Sequence, residues 1–196
     1  MQGVNPQFPV NIFSRNDFAN YLNGLGLFGV AVEVGVHQGD FCVPFRRVWQ
    51  GELVYCVDCY VTQDGRKHWQ DFDILNTRMN TQTKGKEWKF LGMTSVEAAK
   101  SFADESLDFV YLDASHDYKN VAADLRAWYP KLIKGGLFAG HDFVNNHWQK
   151  RIEHTTKEEV QNFVYGVKFA VEEFANEFGY SIGKTAESLP SWYFHK

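Results

Sequence analysis

The feature that most constrains this chain is an alternation. A short apolar run is followed by a segment with helical spacing of apolar residues, and the pair recurs five times. The runs FGVAVEVGV (28–36), LVYCVDC (53–59), WKFLG (88–92), LDFVYLDA (107–114) and GGLFAGHDF (135–143) read as buried strands. Helical segments follow at 40–49, near 73–83, at 95–103, at 118–133 and at 157–179, the last weakened at Gly166. Val121, Leu125, Trp128 and Leu132 illustrate the spacing. Pro44 is tolerable only in the first turn of its helix. A further helix precedes the first strand, with Ser14 and Asp17 in a capping-box-like pair, Phe18, Tyr21 and Leu22 on one face, and Gly24 and Gly26 as the stop.

Strands separated by helices cannot form hairpins, so they pair in parallel and need both faces covered. Only the last two runs, YSIGK (180–184) and SWYFHK (191–196), lack a helix between them, and they can pair antiparallel through TAESLP. The expected fold is α/β: a doubly wound, mainly parallel seven-stranded sheet with a C-terminal antiparallel hairpin, in one domain over residues 1–196. In such sheets ligands sit beyond the carboxyl ends of the strands. That directs attention to 33–39, Asp58, 92–95, 113–117 and 141–146.

Composition removes several function classes. The net charge is −4 with both signs interspersed, which argues against sequence-independent nucleic-acid binding. No window approaches the roughly 18 apolar residues of a membrane span, so no membrane partner is expected. MQGVNPQFPVNIF lacks the basic head and apolar run of a secretory signal, and Cys42, Cys56 and Cys59 are an odd number, so reduced thiols and a cytoplasmic location are expected. Cys56-Val-Asp-Cys59 has CxxC spacing, but no second ligand pair accompanies it and it spans a strand end rather than a helix start. The large aromatic content raises the possibility of a homodimer.

The loop after the first strand reads EVGVHQGD. If Gly35 is set as the first glycine of G-x-G-x-x-G, His37 occupies the position of the second, and the P-loop lysine is missing as well. The loop admits a ligand closely without the usual phosphate devices. A carboxylate at Glu33 repels phosphate and attracts a cation, which fits a ligand carrying ammonium or sulfonium. Asp58, 23 positions after Gly35 at the end of the second strand, is placed to accept hydrogen bonds from ribose hydroxyls.

VEVGVHQGDF, VYCVDCY, FLGMTSVEAA and LDFVYLDASHDYKNVAADLRAWYPKLIKGGLFAGHDF together resemble class I S-adenosylmethionine-dependent methyltransferases. The last stretch is similar to a small-molecule O-methyltransferase branch with D-x-x-H-x-Y after strand four and G-H-D-[FY] after strand five. The resemblance spans residues 28 to 143 and implies a Rossmann-like methyltransferase fold. It places Glu33, Gly35 and Gly39 at the methionine end of the cofactor S-adenosyl-L-methionine, Asp58 at the ribose, and Thr94 and Ser95 at the adenine, with Asp113 counted in the cofactor-binding set too. The stretch VTQDGRKHWQ has no counterpart in that pattern.

Methyl transfer holds a nucleophilic oxygen or nitrogen about 3 Å from the sulfonium methyl. A hydroxyl gains from losing its proton to a base or from binding a metal. The ends of strands four and five supply Asp113, His116, Asp117, His141 and Asp142, with Asn145 and Asn146 soon after. One reading makes His116 or His141 the base. The other, resembling magnesium-dependent O-methyltransferases, makes Asp113 and Asp142 ligands to a divalent ion such as Mg or Mn, with His141 or an Asn as a further ligand. Asp117 and His116 could equally cap the next helix. The polar segment 144–157 reads as a cover over the substrate. The expected activity is methyl transfer to a small molecule, at a hydroxyl of a sugar or similar metabolite. The alternatives are a nucleotide-dependent oxidoreductase and a non-catalytic cofactor-binding module.

Overall fold

The computed structural model describes residues 12–61, 65, 67–144 and 165–196. The expected sheet is present. Strands β1 (Val30–Val34), β2 (Leu53–Val57), β3 (Trp88–Leu91), β4 (Leu107–Leu112) and β5 (Leu132–Gly140) are joined by parallel pairings, and β6 (Gly183–Lys184) and β7 (Trp192–His195) close the sheet antiparallel. The order is β3-β2-β1-β4-β5-β7-β6, so β7 lies between β5 and β6. The strand order reverses between β1 and β4. Helices diverge from the sheet there, and a crevice opens beyond the strand ends.

Among the described residues, six helices cover the two faces: α1 (Phe18–Leu25), α2 (Cys42–Val48), α3 (Trp69–Gln82), α4 (Ser95–Ala99), α5 (Tyr118–Trp128) and α6 (Val167–Phe178). The alternation of side chains along each strand divides the core into two layers. Ala31, Phe109, Tyr111 and Leu137 face a layer shared with α1, α2 and α3, whereas Val32, Val110, Leu112 and Phe138 face α4, α5 and α6. The central strands β1, β4 and the second half of β5 thus bury both faces, which is why their runs read as nearly continuous apolar stretches.

Differences from expectation lie at element ends. The helix expected near 73–83 starts earlier, at Trp69, and its fully buried positions, Leu75 and Met79, lie beyond its first turn. The helix expected over 118–133 stops at Trp128, and a 3₁₀ turn over Tyr129–Lys131 takes Pro130 before β5 begins at Leu132. A proline lacks the amide that an α-helix interior requires. Gly166 is the N-cap of α6 rather than a weak point within it, and residues 157–164 lie outside the described residues. Gly26 closes α1 in a left-handed conformation at φ 73°.

Candidate functional site

The crevice at the reversal of strand order is a cavity of about 650 Å³. Its walls include Gly35 and His37 after β1, Asp58 and Cys59 after β2, Thr94 and Ser95 after β3, and Asp113 and His116 after β4. Residues from four separate loops, spread over eighty positions of sequence, therefore meet around one volume.

Gly35 is required by packing as well as by any ligand. Its φ is +88°, and a Cβ there would lie 2.2 Å from the Asp113 carbonyl oxygen. No side chain fits between the β1 and β4 ends. The loop then bends through His37, a non-glycine residue at φ 48°. Two contacts hold that bend. The His37 amide donates to Asp58 Oδ2 at 2.9 Å, and Tyr60 Oη donates to the His37 carbonyl at 2.7 Å. Asp58 Oδ1 accepts from the Tyr60 amide at 2.8 Å. The Asp58 carboxylate is thus fixed by backbone donors at the cleft wall, and its remaining lone pairs are available to a ligand's hydroxyls.

Two residues expected at the cofactor do not line the cleft. Gly39 does not line the cleft. A Cβ there would be 2.7 Å from Leu75 Cδ1 and 2.9 Å from Val43 Cγ2, so its bare backbone serves the contact with α2 and α3. Glu33, expected to face a cationic ligand, is enclosed at 3% exposure on the layer side of β1, and its Oε2 has no hydrogen-bond partner. Burial, then the neighbouring Cys42 thiol and the Asp113 charge, push its pKa well above the usual carboxylate range, with Arg15 opposing. The parity of the strand decides this: Val32 and Val34 point to one face and Glu33 to the other.

Beyond β4 and β5, the expected titratable group is assembled. His116 Nε2 lies 2.9 Å from Asp142 Oδ2, off the line of a hydrogen bond but within an ion pair, and 3.8 Å from Asp113 Oδ1. His141 Nδ1 lies 3.5 Å from Asp142 Oδ1 and 3.8 Å from Asp113 Oδ1. Asp142 adopts φ 58°, the left-handed bend that turns its carboxylate back toward both rings. Burial alone would lower the pKa of His116, but Asp113 and Asp142 outweigh it and raise the pKa to about 9. Burial is outweighed in the same way at His141, whose pKa is raised. Asp142 would be pushed up by burial, yet the two imidazoles hold it below the usual carboxylate range. Asp117 caps α5, its Oδ1 accepting the Asn120 amide at 3.0 Å.

Asp113, His141 and Asp142 present ligand atoms all within 4.8 Å of one another. Asp142 Oδ1 is buried without a hydrogen-bond partner, an atom that a cation would satisfy. These residues fit a divalent ion, and the mixed oxygen and nitrogen set suits manganese, iron or zinc better than magnesium. Asn145 and Asn146 lie outside the described residues, as does the expected cover over residues 144–157 beyond Val144.

The sequence reading missed three contributors. Arg15, on the 3₁₀ turn Arg15–Asp17 before α1, reaches Asp113 with Nη1 3.8 Å from Oδ2. Tyr165 stacks on His116 with ring centroids 5.1 Å apart and planes at 16°. Asp124 of α5 lines the cleft from a position 5% exposed. Arg15 and Tyr165 lie far in sequence from the strand ends they approach, and no local spacing marks them. Asp124 had a signal: it stands at i+3 from Val121 and next to Leu125, where the apolar pattern calls for a buried residue.

A family model described as "Methyltransferase domain" matches residues 32–143. The chain belongs to the methyltransferase domain family. The matched region contains the ends of all four strands whose loops line the cleft. The uncharacterized protein y4gI of Sinorhizobium fredii is 30% identical over 146 residues, covering 68% of this chain and 16% of that protein. The chain thus spans a small part of that curated relative's length. Among solved structures, an O-methyltransferase from Bacillus cereus in complex with SAH is similar at TM-score 0.65 and 17% identity, covering 97% of this chain and 84% of the other. The O-methyltransferase NovP is similar at TM-score 0.64 and 17% identity, covering 93% of this chain and 77% of the other. At these identities the likeness is one of fold. Among the described residues, no helix of this methyltransferase domain is long and apolar enough to cross a membrane.

Proposed function

We propose that this domain transfers the methyl group of S-adenosyl-L-methionine to a hydroxyl of a small molecule, a sugar or similar metabolite. The observation that carries the reading is the cleft itself. Asp58, held ready by two backbone donors, stands on one side of the bare Gly35 backbone, and the Asp113–His116–Asp142 group stands on the other. A nucleoside ribose fits the first and a nucleophile awaiting deprotonation fits the second. His37, at the position of a dinucleotide site's second glycine, favours this reading over an oxidoreductase.

In the proposed reaction the acceptor oxygen attacks the methyl carbon, the carbon–sulfur bond breaks, and its electron pair returns to sulfur, leaving S-adenosylhomocysteine. The acceptor's proton leaves through the His116 side of the cluster, which lines the cleft, whereas His141 does not. Paired with Asp142, His116 is a cation at neutral pH. In that state it cannot take a second proton, so it serves as a base only as the pH rises toward its raised pKa. Asp113, His141 and Asp142 would hold a divalent ion, which would supply Lewis acidity that lowers the acceptor hydroxyl's pKa.

The test is calorimetric. Wild-type protein should bind S-adenosylhomocysteine and gain about 2.7 kcal/mol of apparent stability at a hundredfold excess over Kd. NADH should produce neither effect. Asp58→Ala should weaken binding at least about tenfold, the cost of losing hydrogen bonds to a charged acceptor. Heat from NADH and none from the homocysteine derivative would reverse the assignment. Manganese titration should show one site that Asp142→Asn removes, and unchanged binding in that variant would take Asp142 out of the ligand set.

A further inference from the structure

Arg15 brings a positive charge to the strand-end cluster from a distant turn, and the proposed chemistry makes no use of it. Its Nη1 lies 3.8 Å from Asp113 Oδ2, whereas His116 Nε2 and His141 Nδ1 each lie 3.8 Å from Asp113 Oδ1. The Asp113 carboxylate is therefore divided. One oxygen faces the imidazoles and the other faces the guanidinium. Arg15 also contacts the Tyr111 phenol, and the charges of Asp113 and Glu187 act on it. A guanidinium does not deprotonate in a folded protein, so this charge cannot be withdrawn.

Backbone contacts, rather than the side chain, place Arg15. Its amide donates to Glu187 Oε2 at 2.8 Å, and the Ser14 amide donates to Asp17 Oδ2 at 2.8 Å across the turn. The Arg15 and Asp113 side chains are 26% and 20% exposed, so water screens the pair less than it would on an open surface. The field of Arg15 extends past Asp113. It disfavours a proton on His141 and on Glu33 as well.

Asp113, His141 and Asp142 are the residues that fit a divalent ion. An ion held there shares Asp113 with Arg15, and two cations on one carboxylate weaken each other's hold. We propose that Arg15 is the residue that sets the ion affinity of this site, keeping Asp113 as its own counter-ion and so opposing a divalent ion. The inference rests on the ion-ligand reading above and goes beyond it by naming the group that works against the ion. Glu187, whose charge already acts on the guanidinium, keeps Arg15 compensated when an ion engages Asp113.

The probe is Mn²⁺ alone, titrated calorimetrically into untagged wild type, Arg15→Gln and Arg15→Lys at one ionic strength. Glutamine keeps the backbone amide to Glu187 and a polar head for Tyr111 but removes the charge, whereas lysine keeps the charge. Arg15→Gln should bind Mn²⁺ at least about tenfold more tightly than wild type, the low end of what a unit charge near a divalent ion costs in a partly exposed site. Arg15→Lys should stay close to wild type. Thermal unfolding gives a second readout: at one fixed Mn²⁺ concentration, Arg15→Gln should gain more apparent stability from the ion than wild type does. Equal or weaker Mn²⁺ binding by a folded Arg15→Gln, or equal tightening in Arg15→Lys, would overturn the proposal and leave the ion site standing. Absence of Mn²⁺ binding in wild type and both variants would instead remove the ion-ligand set, and this proposal with it.

Discussion

Asp124 shows how a single side chain links stability to pH. Its pKa is raised by burial and by Asp117, from 3.8 to about 6. The folded state therefore holds the proton more tightly than the unfolded chain. The stability that this contributes is complete below the unfolded value and is lost as pH rises through the folded one. The nearby His116 and His141 are paired with Asp113 and Asp142 rather than with it. Asp124→Asn removes this dependence. At about pH 8, urea unfolding should find the unliganded variant more stable than wild type by up to about 3 kcal/mol, with the advantage vanishing near pH 4. An equal difference at both ends would show that the carboxyl does not titrate in that range. Legibility differs between neighbours at this level. Asp58 and Asp113 could be read from the sequence because an acid directly after a strand is a local signal. The surroundings of Glu33 could not be read, because which face of β1 it occupies depends on what covers each face, not on the run of letters.

The closing hairpin is where elements remote in sequence are stitched to the site's floor. Tyr111 of β4 and Ser191, just before β7, share a buried hydrogen bond of 2.8 Å. Ser191 is held in turn by Thr185, through its amide to Thr185 Oγ1 at 2.9 Å and its carbonyl from the Thr185 amide at 2.9 Å. The same Tyr111 ring stacks on Phe41 at 3.9 Å between centroids. Ser191→Ala leaves the phenol with one partner fewer in a water-free setting. It should lower stability by about 1–2 kcal/mol, read as a shift in the urea midpoint with unchanged slope. No shift would mean that Arg15, the other group near this phenol, satisfies it alone. The turn carrying Arg15 is itself tied to the hairpin, since the Arg15 amide donates to Glu187 Oε2 at 2.8 Å. Asp17 Oδ2 accepts from the Ser14 amide at 2.8 Å and fixes the turn's shape. The Ser14–Asp17 pair was legible as a helix start; its consequence, a guanidinium beside Asp113, was not.

The whole molecule is a parallel sheet finished by an antiparallel end, and the finish is a necessity. Without β7, the β5 edge would present unpaired backbone groups along Leu137–Gly140. The second core layer would also lose Trp192 and Phe194, both buried, with Tyr180 and Ile182 beside them. Deleting residues 180–196 should therefore yield protein that partitions to the insoluble fraction or elutes as large aggregates on size exclusion. A monomeric truncation with native helicity would show that the five parallel strands suffice. At the other edge, among the described residues, β3 pairs only with β2. It is short, at four residues, and carries the charged Lys89, which limits pairing with another chain.

Alternating apolar runs and helical spacings, with one helix-free connection at the end, were enough to determine the layered sheet, its parallel core and its hairpin, because these follow from local periodicity and chain connectivity. The strand-end acids and the glycine loop could be located for the same reason. The tertiary structure decided which of them share a cavity and which face the core. It turned Gly39 to helix packing and enclosed Glu33. It also brought Tyr165 and Asp124 to the cleft wall and Arg15 to the side of Asp113. Proximity between distant segments is set by how whole layers pack against each other, and burial, desolvation and charge pairing take their values only once that packing exists.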